Sequence, residues 1–135
     1  MLMEQQMPSN VKSMVSEAEW NTRVDLAACY RLMPYFGLSD LVYNHITARI
    51  PGDDTRLLIN PYGYMYEEIT ASSLITIDID GNVLFNPNEG TYGVNAAGYV
   101  IHSAVHSARQ DVNCVIHTHP PYVSALSMTG EPLQI

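Results

Sequence analysis

Basic residues are scarce: six Lys and Arg stand against 14 Asp and Glu in 135 residues, a net charge of −8. A nucleic-acid surface needs clustered cations to neutralise phosphates, and these six are scattered, so that partner class is excluded. Cysteine is scarce too. Cys29 and Cys114 lie in the apolar contexts LAACYRL and VNCVIH, which predicts buried free thiols in a reducing compartment. No apolar run reaches the roughly eighteen residues of a membrane span. The first residues, MLMEQQMPSN, lack the basic region and apolar core of a secretory signal, so a cytoplasmic setting is expected. What remains is an ordinary globular composition, 47% hydrophobic and 15% charged, on a chain long enough to bury a core.

Residues 1–13 are polar and punctuated by proline, and read as a flexible tail; 14–135 read as one domain. Ser16 and Glu19 fit a capping box, ahead of a helix whose apolar stripe would be Trp20, Val24, Ala27, Ala28 and Leu32. Pro34 and Gly37 would end it, with a kink or frayed turn at 33–36. Residues 43–50 are β-rich, stop at Pro51-Gly52-Asp53-Asp54, and pair with 56–60. Residues 70–73 can cap a helical turn. Strands 74–79 and 82–85 flank Asp80-Gly81, a favoured hairpin turn. Asn95 is the predicted N-cap of a helix over 96–109, with Ala97, Ile101, Ala104, Val105 and Ala108 facing the core. Residues 112–117 read as a buried strand, and Pro121 opens a last helix to about 128. The order of helices and strands predicts a mixed α/β layer architecture.

Two of the five histidines stand in VIHTHPPYV, residues 115–123. Side chains two apart on a strand share a face, roughly 6.5–7 Å apart, and two imidazoles so placed can reach one ion at about 2.0–2.1 Å. Pro120 and Pro121 would end the strand just beyond them, at a sheet edge where a cleft can form. His117 and His119 are therefore candidate metal ligands. Against this stands a plainer reading, in which one ring faces solvent and the other is a satisfied polar residue.

Three segments together resemble the class II aldolase/adducin superfamily: LSDLVYNHITARIPG (38–52), LLINPYGYMYEEITASSLITIDIDGNVL (57–84) and YVIHSAVHSARQDVNCVIHTHPPYVSALS (99–127). The resemblance runs from about residue 19 to Ile135. It implies a three-layer α/β/α sandwich around a mostly antiparallel sheet, with homotetramer assembly. Family enzymes bind Zn2+ or another divalent ion through the two histidines of this HxH and a third far downstream. The ion acts as a Lewis acid that stabilises an enediolate while a carbon–carbon bond breaks or forms. Adducins keep the fold as cytoskeletal proteins.

The sequence departs from that pattern in two respects. Counted back from His117, the aldolases' acid–base glutamate falls on Gly98, which cannot carry a proton; restoring Glu there is expected to leave zinc binding intact. The serines that grip a substrate phosphate fall on Ala96 and Ala97, and Tyr62 replaces a small hydroxyl residue, while Asn44 and Gly63 remain as candidate substrate contacts. A sugar phosphate is thus not the expected substrate. The downstream histidine would lie beyond Ile135, so 14–135 reads as an incomplete, C-terminally truncated domain, and two histidines alone would bind metal weakly.

His102 and His106 share a helix face at i, i+4. His102, one turn after Gly98, is a candidate base or substitute ligand, against the alternative of a core histidine with a satisfied hydrogen bond. His45 should point away from the side that Asn44 takes and is assigned a structural role. Glu67 and Glu68 can reach a substrate or solvate a turn, and Tyr62, Tyr64 and Tyr66 can wall a pocket or pack. Two functions follow: a metal-dependent, lyase-type enzyme acting on a small hydroxy-carbonyl compound, or a non-catalytic, adducin-like assembly module.

Overall fold

The computed structural model describes residues 10–88 and 92–132. In chain order the elements are α1 (Val11–Met14), α2 (Glu17–Tyr35), β1 (His45–Ile50), β2 (Asp53–Ile59), a 3-10 turn (Tyr66–Glu68), β3 (Ile75–Asp78), β4 (Val83–Phe85), α3 (Ala96–Ala108), β5 (Cys114–His117) and α4 (Pro121–Ser127). The five strands form one antiparallel sheet in the order β4-β3-β2-β1-β5. Alternation along the strands sends Ile46, Ala48, Ile50 and Leu58 to one core, with Leu26, Tyr30 and Met33 of α2. It sends Leu57, Ile59, Ile75 and Ile77 to the other, with Tyr99 of α3. The result is the expected three-layer α/β/α sandwich. No helix among the described residues is long and apolar enough to cross a membrane.

Helix α2 starts where the sequence predicts, because the Ser16 hydroxyl accepts from the Glu19 amide at 3.1 Å. Its buried face, however, is Glu19, Arg23, Leu26, Ala27, Tyr30 and Met33, a correction to the predicted stripe. Of that stripe only Ala27 is buried; Val24, Ala28 and Leu32 are exposed and Trp20 half-buried. The cause is a buried ion pair that a hydrophobic pattern cannot register. The Glu19 carboxylate, instead of returning to its cap, accepts from Arg23 Nε and Nη2 at 2.9 and 2.8 Å. Arg23 also donates to the Leu74 carbonyl at 2.7 Å and to Thr76 Oγ1 at 2.6 Å, which ties α2 to β3. Pro34 is accommodated in the last turn, and the helix runs on to Tyr35.

Helix α3 departs in the same way. Asn95 caps it, accepting from the Ala97 amide at 3.1 Å, but the buried residues are Gly98, His102, Ser103 and His106. Ala97, Ile101, Ala104 and Ala108, the predicted core stripe, are exposed, and Val105 is half-buried. The helix lies over the polar face of β1, where His45, Thr47 and Arg49 project, so polarity on the helix meets polarity on the strand. Residues 114–117 form the predicted strand, but it is not buried: Ile116 is 50% exposed, and Cys114 is an exposed thiol where a buried one was expected. No described helix covers the α2-side face of β5. Residues 11–13, assigned to the tail from sequence, belong to the helical turn α1, with Val11 buried; residues 1–9 lie outside the described residues. Residues 70–73 form a reciprocal turn in which Thr70 and Ser73 each accept from the other's amide.

Candidate metal centre

His117 is the last residue of β5, and His119 follows two residues on, past the strand end. Their Nε2 atoms lie 2.9 Å apart, with the rings edge-to-face at 87°. Two nitrogens at that separation, each about 2.0–2.1 Å from one ion, subtend roughly 90° at it, and a small opening reaches the tetrahedral angle. The predicted convergence of the pair is present. His119 Nδ1 lies 2.9 Å from the Asp40 carboxylate, so Nδ1–H donates outward and Nε2 presents its lone pair. His117 Nε2–H donates to that lone pair in the metal-free state; a shared ion would move this proton to Nδ1. Asp40, absent from the sequence-based candidates, is thus the carboxylate that orients His119. Its backbone amide donates to Asn44 Oδ1, and Asn44 is itself buried with an unpartnered Nδ2.

All five histidines gather on one side of the sheet. His45 pairs with His117 across β1 and β5, and its ring stacks on His117 at 4.8 Å and lies tilted against His102 at 4.5 Å between centroids. His45, assigned a structural role from sequence, packs as a buried ring against His117 and His102. The register of β1 on β5, which no local pattern supplies, decides this. Neither ring nitrogen of His45 has a well-aligned partner among the described residues. The ring lies under Gly98, where a β-carbon would be 2.9 Å from His45 Cδ2 and 3.0 Å from Cγ.

His102 is buried, with Nδ1 2.8 Å from Thr47 Oγ1, and His106 Nε2 reaches the same hydroxyl at 2.9 Å. One β1 hydroxyl therefore fastens both turns of α3. His106 Nδ1 faces the Val112 carbonyl at 3.3 Å, and Arg49 Nη2 donates to the His106 carbonyl at 2.8 Å. Burial lowers the His102 pKa to about 3, helped by His45, His106 and His117. Burial and the rings of His117 and His119 hold His45 at about 4, against an opposite pull from the Tyr43 backbone. His106 and His117 are lowered as well, chiefly by burial. His45, His102, His106 and His117 are thus biased toward the neutral form, in which imidazole binds metal.

Gly63 occupies a left-handed turn at φ +100°, a conformation that suits glycine, and the Tyr62 amide donates to the Gly93 carbonyl at 2.9 Å. That contact brings the NPYG turn to the lead-in of α3. Tyr66 is core, edge-on to Tyr30 at 4.8 Å, whereas Tyr62 is exposed. Glu68 accepts from the Met65 amide at 2.8 Å, and Glu67 is exposed. Among the described residues no group of three or more His, Cys, Asp or Glu is arranged to hold a metal ion. The donor chemistry of His117 and His119 fits a divalent transition ion as two ligands of an incomplete set.

The chain is 52% identical over 127 residues to "Putative aldolase class 2 protein PA3430" of Pseudomonas aeruginosa, covering 94% of this chain and 48% of that protein. It is 45% identical over 105 residues to alpha-adducin of Mus musculus, covering 78% and 14%. The solved L-fuculose 1-phosphate aldolase of Glaciozyma antarctica superposes with a TM-score of 0.80 at 36% identity, over 87% of this chain and 47% of that one. The chain thus spans about half the length of the aldolase-type relatives it matches. The family model for the class II aldolase and adducin N-terminal domain matches residues 24–135. With an α/β/α sandwich carrying a converging HxH pair, the chain belongs to the class II aldolase and adducin family.

Proposed function

We propose that the chain forms a divalent-metal-binding part of a lyase-type class II aldolase, acting on a small hydroxy-carbonyl compound. The observation that carries this reading is the 2.9 Å approach of His117 and His119 Nε2, with His119 oriented by Asp40. An unpaired buried polar group costs about 1–3 kcal/mol, and the unpartnered Asn44 Nδ2 beside this pair supports the reading. A bound ion, Zn2+ or a similar metal, supplies Lewis-acid polarisation of a carbonyl. His117 and His119 hold it, Asp40 fixes the His119 tautomer, and Asn44 pins the segment carrying Asp40. Asn44 Nδ2 and the backbone around Gly63 are proposed substrate contacts. A phosphate grip is not part of the reading, since Ala96, Ala97 and the exposed Tyr62 offer no small hydroxyls. The setting is cytoplasmic and the assembly a homo-oligomer, a tetramer on the family pattern.

The adducin likeness supports a second reading, a non-catalytic assembly module, and the ring of His45 beneath Gly98 favours it by filling space beside the pair. Metal content separates the two. The first reading predicts Zn2+ bound by the wild type and lost in His117→Ala; zinc content unaffected by that substitution overturns it.

A further inference from the structure

We infer that Leu41 is a positioning residue for His119: its left-handed backbone sets the hand of a turn that delivers the Asp40 carboxylate to the His119 ring. Among the described residues, Leu41 is the one non-glycine with a positive φ, at +47°. In that region the β-carbon crowds the following carbonyl, so residues other than glycine visit it at a cost. The Leu41 side chain does not offset the cost by packing, because it is 59% exposed. A strained backbone persists where its surroundings over-determine it, and such positions gather at ligand clamps.

The surroundings of Leu41 converge on the histidine pair. The Tyr43 amide donates to the Asp40 carbonyl at 3.0 Å, closing a four-residue turn with Leu41 at its first inner position. A positive φ there marks the mirror-image turns, which favour Gly, Asn and Asp. The Asp40 amide donates to Asn44 Oδ1, and Asn44 is buried. Past Asn44 the chain enters β1 at His45, held in register opposite His117. Before the turn, Leu38 packs on the α2-side core and its amide donates to the Met33 carbonyl at 2.9 Å. With both ends fixed, the hand of the turn decides where the Asp40 carboxylate points. It points at His119 Nδ1, 2.9 Å away. A turn of the ordinary hand between the same two anchors would aim it elsewhere. The strain at Leu41 therefore holds the Asp40–His119 contact ready before any ion arrives. Its effect on zinc rests on the proposed metal site; its effect on the orientation of His119 does not.

The test compares Leu41→Gly, which keeps a positive φ without steric cost, with Leu41→Ile, whose branched β-carbon makes that conformation an outlier. Both are read first in metal-free protein, by the 15N shifts of the His119 ring and the amide exchange of Tyr43. The expected result is that Leu41→Gly keeps the Nδ1–H tautomer of His119 and slow exchange at Tyr43. Leu41→Ile shifts His119 toward the Nε2–H tautomer and speeds Tyr43 exchange at least about tenfold. Zinc affinity, measured next, falls about 10–100-fold in Leu41→Ile, and Asp40→Ala added to that variant causes no further loss. A folded Leu41→Ile protein with the wild-type tautomer and exchange overturns the inference, and so does a Leu41→Gly protein that loses both. The predicted tautomer change in a protein that takes up no zinc supports the inference and sinks the metal reading alone.

Discussion

A β-carbon at position 98 would lie 2.9 Å from Cδ2 of His45, so the ring of one residue occupies the space of the other's side chain. His45 is hemmed in, its ring stacked on His117 and tilted against His102. Replacing a helical glycine by alanine ordinarily gains about 0.5–1 kcal/mol. Here Gly98→Ala is expected to cost roughly 1–3 kcal/mol through overpacking, read as a lower urea midpoint. His45→Ala should abolish that cost, giving a coupling of at least about 1 kcal/mol in the double-mutant cycle. The same close approach bears on the expectation that Glu at 98 leaves zinc binding intact: Gly98→Glu is expected to displace the His45 ring toward His117 and lower zinc affinity, and unchanged affinity would support the sequence-based expectation.

In the proposed metal site, Asp40 acts through His119, whose Nδ1 it meets at 2.9 Å. Asp40→Ala is expected to lower zinc affinity by about 10–100-fold, measured by competition with a chromophoric chelator. His106→Ala should leave that affinity unchanged, because its ring bonds Thr47 and the Val112 carbonyl away from the pair. It should instead lower stability by about 1–3 kcal/mol. Loss of metal in His106→Ala with Asp40→Ala unaffected would reverse the assignment.

Acid should unfold the metal-free protein. His45 sits at about 4 and His102 at about 3, against 6.5 for the ordinary imidazole. Between those values the unfolded chain holds more protons than the folded one, so stability rises with pH. The contribution is fully present above about 6.5 and is lost as pH falls toward the folded values. For His45 alone the difference is worth roughly 3 kcal/mol. Urea midpoints from pH 7 to pH 4 should fall steadily, and a flat profile contradicts a neutral, buried cluster.

Arg23 and Glu19 form a fully buried pair. Arg23→Ala strands the Glu19 carboxylate and is expected to cost about 3–5 kcal/mol. Replacing both, by Arg23→Met with Glu19→Leu, should recover most of that loss, since apolar pairs of similar volume substitute well for buried ions.

Much of the architecture was legible because local signals carry it. Asn95 and Ser16 cap their helices as the sequence predicts, and the Asp80-Gly81 turn joins the expected strands. The HxH pair was legible from spacing alone. The buried faces of α2 and α3 were not, because in both a polar network faces inward. Arg23 pairs with Glu19, whereas His102 and His106 both bond Thr47 of β1, and a hydrophobicity pattern assigns such residues to solvent. Asp40 and His45 were missed for a different reason: each reaches the site through pairing between distant segments.

The most direct test follows the imidazole nitrogens of all five histidines by 15N NMR during zinc titration. The account predicts that Nε2 of His117 and His119 take metal-bound shifts at one equivalent, that His117 changes tautomer, and that His102 and His106 keep their metal-free pattern. Zinc-induced shifts absent from His117 and His119, or centred on His102 and His106, would contradict it.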